Sequence, residues 1–225
     1  MVKFERRDTA KAQLAIVSLK REKSKPSGTY NTPEVNAALK EMFYDKCYLC
    51  EQKGLTSRAI EHRVPHQGNL DLKFDWNNLF LVCTHCNNIK GNRYDNILDC
   101  SQVAVDSKIA FRKHGYWGVP EYLEFVPLSD DEETKSTVAL LEEIYQGHTA
   151  QKSEEAKMIC RKVQRAMSDF KNCVREYEES DGEDKLDALD LVKKELRPSS
   201  EFTAFKRWLI RDAIDKYPEL QQYCQ

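Results

Sequence analysis

The residue types that could perform chemistry are concentrated between positions 47 and 91. Two Cys-x-x-Cys pairs flank a segment in which a glutamate directly precedes a histidine, and an asparagine directly follows the second pair. Four thiolates in two pairs of this spacing are the ligand set of a closed, tetrahedral structural zinc site. The sequence therefore predicts a four-cysteine zinc site formed by Cys47, Cys50, Cys83 and Cys86.

The sequence alone leaves two other interpretations of these cysteines open. Cysteines are also frequent as small buried apolar side chains. In addition, His85 lies inside the second pair and could replace one cysteine as a zinc ligand. Zinc is the better hypothesis, because two spaced pairs flank one compact pattern of strands and a helix. The other four cysteines lack such pairing.

The segment between the pairs contains the groups that metal-assisted phosphodiester cleavage needs. Glu61 offers a carboxylate oxygen and Asn87 an amide oxygen, and oxygen ligands suit Mg²⁺ or Mn²⁺. His62 titrates near neutral pH and can take a proton from water. Side chains alternate along an extended strand. One of these two neighbours can therefore hold the metal while the other reaches the water, provided that the loop folds over the site.

Together these motifs resemble the zinc-bound HNH endonucleases, in which a ββα-metal unit forms the active site. The resemblance implies that His62 is the general base and that Glu61 and Asn87 bind the catalytic cation. It also implies that Asn78 braces the loop and orients the histidine. The family usually has aspartate at the position of Glu61. Asn88 is the alternative to Asn87, and weaker substrate contacts are expected from Lys90 and His66.

A closer resemblance is to the HNH effectors called PtuB. It rests on Glu61-His62, on the run from Asp75 to Leu79 and on Cys83-x-x-Cys86-Asn87. Such effectors accompany an ABC/SMC-like ATPase, PtuA, in Septu-type and retron-associated antiphage systems. The resemblance implies a nucleic-acid substrate, with DNA favoured over RNA, an ATPase partner and, in the retron setting, a reverse transcriptase with its RNA and DNA.

Two other functions compete with this hypothesis. One is a zinc-stabilised module that binds nucleic acid or protein without cutting, although such a module has no need of Glu61 and His62 together with Asn87. The other is a restriction-type HNH enzyme with its own recognition domain. The helical tail lacks a strongly basic helix, which disfavours that function.

Composition limits the class of protein further. The net charge of the 225-residue chain is −2 and its apolar fraction is 40%, which is ordinary for a soluble protein with a core. No apolar run is long enough to span a membrane, and the first residues do not resemble a signal peptide. We therefore expect a cytoplasmic protein with reduced cysteines, no membrane contact and weak stand-alone binding to nucleic acid.

The elements predicted to position the motif give an α+β protein. A basic segment, 1–32, precedes an HNH nuclease domain, 33–130, and a helical region, 131–225. Within the nuclease domain the pattern predicts a helix starting at Thr32-Pro33, strands over 57–64 and 79–82, and a helix from Asn87 onward. Apolar spacing predicts four further helices, and the apolar stripe over 156–177 and the aromatic cluster over 202–217 serve either packing within the chain or partner docking.

Overall fold

The computed structural model describes residues 1–116, 118–147 and 149–225. Helices predominate, and the strands form two separate antiparallel pairs. In chain order the elements are α1 (Ala10–Lys23), α2 (Pro33–Met42), β1 (Arg58–His62), α3 (Leu70–Lys73), β2 (Leu79–Cys83), α4 (Thr84–Lys90), α5 (Val105–Lys108), β3 (Ile109–Tyr116), β4 (Val119–Pro127), α6 (Glu132–Gln146), α7 (Ala150–Glu179), α8 (Gly182–Leu196) and α9 (Thr203–Asp212). Short 3₁₀ turns cover Trp76–Asn78 and Pro218–Tyr223.

The ββα unit consists of β1, β2 and α4. Strand β1 pairs antiparallel with β2, so that His62 lies opposite Leu79 and Arg58 lies opposite Cys83. All five residues of β2 are buried, as its continuous apolar run predicts. The Cys83 Sγ accepts from the Cys86 backbone N–H at 3.5 Å and so caps α4. The helix therefore begins at Thr84, three positions before the predicted start, and the α+β class is confirmed.

The N-terminal segment is folded onto this unit. Helix α1, which the sequence pattern did not predict, begins after Thr9, whose hydroxyl accepts from the Ala12 N–H at 3.2 Å. Its buried face packs against α2. Arg6 donates to the carbonyl oxygens of Trp76, Asn77 and Leu79, at 2.9 to 3.1 Å. At least this basic side chain therefore anchors the core and is not available to nucleic acid.

A β-hairpin joins the ββα unit to the helical region, and the sequence pattern did not predict it. Strands β3 and β4 pair antiparallel from Ile109 opposite Pro127 outward, with an irregularity after His114. Phe111 contacts both Phe125 and Phe205 edge to face, with ring centroids 5.3 and 5.5 Å apart. The base of the hairpin is therefore part of the core, while Tyr116 and Val119 at the far ends of the two strands are exposed.

The C-terminal region is helical, as predicted, and packs within the chain. The apolar stripe of α7 is buried, and this helix contacts both α6 and α8. One hydrophobic cluster joins residues of all three predicted segments, including Phe4, Phe80, Leu141 and Phe205. Packing within the chain thus accounts for the stripe. None of the helices in the described ranges combines the length and the apolar composition needed to cross a membrane.

Candidate active site

The four cysteines of the two pairs converge in the interior. Their Sγ atoms all lie within 4.8 Å of one another, all four residues are buried, and none forms a disulfide. A tetrahedral zinc ion with Zn–S bonds of about 2.3 Å requires sulfur–sulfur separations of about 3.8 Å, and the Cys50 and Cys83 sulfurs are 3.9 Å apart. The donor set and its spacing therefore fit a structural zinc ion that ties the first knuckle to the β2–α4 junction.

His85 could be a zinc ligand by its sequence position, but in the structure both of its ring nitrogens contact other residues. Its Nε2 contacts the Ile144 carbonyl oxygen at 2.8 Å, and its Nδ1 contacts a Glu155 carboxylate oxygen at 2.7 Å. One partner is a backbone carbonyl and the other is a carboxylate whose pKa is held at about 2, first by the hydrogen bond from Lys152. These two contacts let His85 join α4 to α6 and α7.

A cleft of about 360 Å³ brings four of the predicted site residues together, but not Asn78 or Lys90. Glu61, His62, His66 and Asn87 all line it. They come from the end of β1, from the loop after it and from α4. The cysteine site is what places α4 beside β1, because Cys83 and Cys86 lie at the start of that helix. Asn88, the alternative to Asn87, is exposed and does not line the cleft.

The hydrogen bonding of His62 determines which nitrogen can act as a base. Its Nε2 lies 3.0 Å from the Lys73 carbonyl oxygen, which can only accept, so the proton of the neutral ring is on Nε2. The lone pair is then on Nδ1, for which the described residues provide no hydrogen-bond partner. Burial lowers the pKa of His62 below its usual value, which favours the neutral ring at neutral pH.

Asn78 holds the loop that follows the histidine. Its Oδ1 accepts from the Val64 N–H and its Nδ2 donates to the Val64 carbonyl, both at 2.8 Å. The Nδ2 group also donates to the Leu72 carbonyl at 3.2 Å. Leu72 precedes Lys73, whose carbonyl binds His62. Asn78 thus contacts both sides of the loop that holds the ring, although it does not touch the ring itself.

Lys90 lies inside the protein, which differs from the phosphate contact expected from the sequence. Its side chain is 0% exposed, and its Nζ lies 2.7 Å from the Glu61 Oε1 and 3.1 Å from the His62 carbonyl oxygen. An ammonium without exposed surface cannot reach a phosphate in this conformation. Lys90 on α4 thus pairs with the Glu61 carboxylate and donates to the His62 carbonyl, which belong to two consecutive residues of β1.

The Glu61–Lys90 pair leaves the second carboxylate oxygen of Glu61 available. Burial raises the pKa of Glu61, and the neighbouring Lys90 opposes that rise. Within the described residues, no protein group hydrogen-bonds the Glu61 Oε2 or the Asn87 side-chain amide. One carboxylate and one amide oxygen suit a Mg²⁺ or Mn²⁺ ion, since Mg²⁺ retains several water ligands. The residues at the cleft therefore fit a catalytic divalent cation.

The rings of His66 and Tyr30 border His62, and the sequence pattern did not indicate Tyr30. The His66 ring lies 4.7 Å from the His62 ring, and its Nδ1 accepts from the Gly68 N–H at 3.1 Å. A neutral His66 therefore presents Nε2–H, a donor. Tyr30 meets the His62 ring edge-on at 4.5 Å. No local signal marks Tyr30, because it approaches the site from the loop before α2.

The comparison with family models matches this same region. Residues 47–93 match the family model described as HNH endonuclease. The comparison with curated proteins and the comparison with solved structures each found no match.

The matched residues include every residue placed at the four-cysteine cluster and at the cleft except Tyr30. The N-terminal helices, the hairpin and the helical region lie outside the matched residues. An HNH domain implies a nucleic-acid substrate and a divalent metal. The described geometry agrees with that chemistry, because one neutral histidine and two oxygen donors face one cleft.

Proposed function

We propose that this protein is a metal-dependent endonuclease that hydrolyses nucleic-acid phosphodiesters, with DNA the favoured substrate. The observation that supports this most strongly is the shared cleft of Glu61, His62 and Asn87. Its base is already oriented, because the Lys73 carbonyl fixes the proton on Nε2 of His62. A zinc module without catalytic activity would not require such a tautomer beside a buried carboxylate.

In the proposed mechanism, Nδ1 of His62 accepts a proton from the attacking water. The Nε2–H bond to the Lys73 carbonyl keeps the ring in place and stabilises the imidazolium that forms. Glu61 and Asn87 would hold the divalent cation, which would stabilise charge on the phosphate and the leaving oxygen. The Nε2–H group of His66 is a candidate donor to a phosphate oxygen.

The cellular setting that we propose is an antiphage complex with an ABC/SMC-like ATPase of the PtuA type, alone or together with a retron reverse transcriptase. The support is the resemblance of Glu61-His62, of Asp75 to Leu79 and of the second cysteine pair to PtuB effectors. The net charge of −2 agrees with it, because tight binding of nucleic acid without a partner requires a basic surface.

The experiment compares two adjacent asparagines. Wild type, Asn87→Ala and Asn88→Ala are incubated with plasmid DNA and with total RNA, in Mg²⁺, in Mn²⁺ and without divalent ions, with and without the ATPase. We expect divalent-dependent cleavage that Asn87→Ala loses by at least a hundredfold, while Asn88→Ala cuts within about twofold of wild type.

The substrate that is consumed decides between DNA and RNA. Two results would contradict the proposal. One is equal loss in both asparagine variants. The other is the absence of cleavage in every condition by wild type that still contains zinc, which would support the zinc-stabilised binding module instead.

A further inference from the structure

A second cavity lies in the helical region and shares no lining residue with the catalytic cleft. Its volume is about 600 Å³, against about 360 Å³ for the cleft. Its walls come from α7, from the end of α8, from the turn before α9 and from the loop after the first cysteine pair. The charged residues that line it are Lys53, Lys162, Arg165, Lys194 and Lys206 as cations and Asp169, Glu195 and Glu201 as carboxylates.

The three carboxylates offset only part of the charge of the five cations, which leaves the lining with a formal charge of +2. Glu195 forms an ion pair with Lys206, the Glu201 carboxylate accepts from the Lys53 backbone N–H at 2.8 Å, and Asp169 is exposed on α7. In the part of the chain that the structure describes, no carboxylate lies within ion-pair distance of the other three cations, which are Lys162, Arg165 and Lys194. The cavity is thus positive although residues 101–225 as a whole have an acidic excess.

The wall of the cavity is held in place by its own hydrogen bonds. Lys206 is buried and donates to the Ser200 hydroxyl at 2.9 Å as well as to Glu195. The Lys53 Nζ donates to the Ser199 carbonyl at 3.0 Å. A concave wall with excess charge of one sign focuses its electric field on the space it encloses. The volume also lies in the range of small-ligand sites, roughly 300–1,000 Å³.

We propose that this cavity binds a phosphate-bearing ligand through Lys162, Arg165 and Lys194. Lys162 is half-buried and Arg165 and Lys194 are exposed, and three cations from two helices around one cavity suit a ligand that meets one requirement, more than one negative charge or several acceptor oxygens. Phosphate groups meet that requirement, since the arginine fork binds two oxygens at once and a lysine acts as a point charge. The ligand is a free nucleotide or the backbone of a nucleic-acid strand. The site is independent of the nuclease chemistry proposed above.

The test is a binding measurement in buffer without Mg²⁺ or Mn²⁺, so that no cleavage interferes. The probes are ATP, inorganic pyrophosphate and a fluorescein-labelled single-stranded DNA of about twelve nucleotides, long enough for the site size of a typical strand-binding groove. The variants are Lys162→Glu/Arg165→Glu and the milder Lys162→Gln/Arg165→Gln. The matched control is Lys171→Glu/Arg175→Glu, which makes the same charge change on α7 outside the cavity. Circular dichroism and zinc content confirm that each variant is folded.

We expect the glutamate variant to weaken binding of the preferred probe at least tenfold and the glutamine variant about threefold to tenfold. The control should change the Kd less than twofold. Tighter binding of ATP identifies a free nucleotide as the ligand, and tighter binding of the oligonucleotide identifies a strand. For a strand, the cavity variants should also reduce the salt dependence of binding by about one phosphate contact per cation removed.

The proposal is overturned if folded wild type binds none of the three probes. It is also overturned if the control variant weakens binding as much as the cavity variants do, because binding would then reflect the general charge of α7.

Discussion

Lys90→Met tests whether the buried ion pair with Glu61 organises the catalytic cleft. Methionine has a similar length and no charge, so it removes the ammonium while filling much of its space. The variant leaves the Glu61 carboxylate, whose side chain is 9% exposed, without its cation at 2.7 Å. Removing one partner of a buried ion pair costs about 3–5 kcal/mol of folding free energy. For a chain of this size the corresponding fall in Tm is roughly 6–20 °C.

A double-mutant cycle separates the pair from the packing around it. Glu61→Gln and Lys90→Met are each measured alone and together by denaturant unfolding, with Lys171→Met as an exposed lysine control. We expect the double variant to be destabilised by at least about 2 kcal/mol less than the sum of the two single variants, because it leaves no buried charge. The control should lie within about 0.5 kcal/mol of wild type.

The outcome that would refute this reasoning is a Lys90→Met variant whose stability equals that of the exposed control. Additive effects of the two single substitutions would refute it as well. In either case the pair would not be a strong contact in solution, and Lys90 would be free to leave the interior. The phosphate contact expected from the sequence would then become the better account of Lys90.

Three further substitutions test the other parts of the site. Cys83→Ser should lose bound zinc and cooperative unfolding, because metal binding and folding are linked, whereas Cys173→Ser should retain zinc by elemental analysis. Asn78→Ala should cost about 1–3 kcal/mol by leaving the Val64 backbone without its partners, and it should lower kcat while Asn77→Ala does not. Tyr30→Ala should reduce kcat about threefold to tenfold with little change in stability, since the half-buried ring lines the cleft and meets His62 edge-on. An unchanged kcat in Tyr30→Ala would exclude that role.

The four-cysteine cluster and the ββα unit were predictable because their signals are local. The apolar run of β2 and the spacing within each cysteine pair can each be recognised from a few consecutive residues. The Glu61–Lys90 pair was not, because it joins residues 29 positions apart. The position of Lys90 in the sequence indicated that it lies near the site, but it did not indicate whether the side chain faces solvent or the interior.

Helix α1 and the hairpin were missed for a related reason. The buried positions of α1 include small or polar residues such as Ala12, Ala15 and Ser18, so the helix has little apolar periodicity. Strand β3 begins with three buried residues and continues with half-buried charged ones, and it therefore lacks the alternation that marks a strand. In both cases tertiary packing, not the local pattern, determines the element.

The most direct test of the central claim is cleavage by His62→Ala beside His114→Ala, with zinc content measured in both. His114 lies on the hairpin outside the HNH domain and serves as the matched histidine control. We predict that His62→Ala retains zinc and fold but loses divalent-dependent cleavage by at least a hundredfold, while His114→Ala cuts like wild type. Cleavage by zinc-loaded His62→Ala at the wild-type rate would contradict the assignment of His62 as the general base.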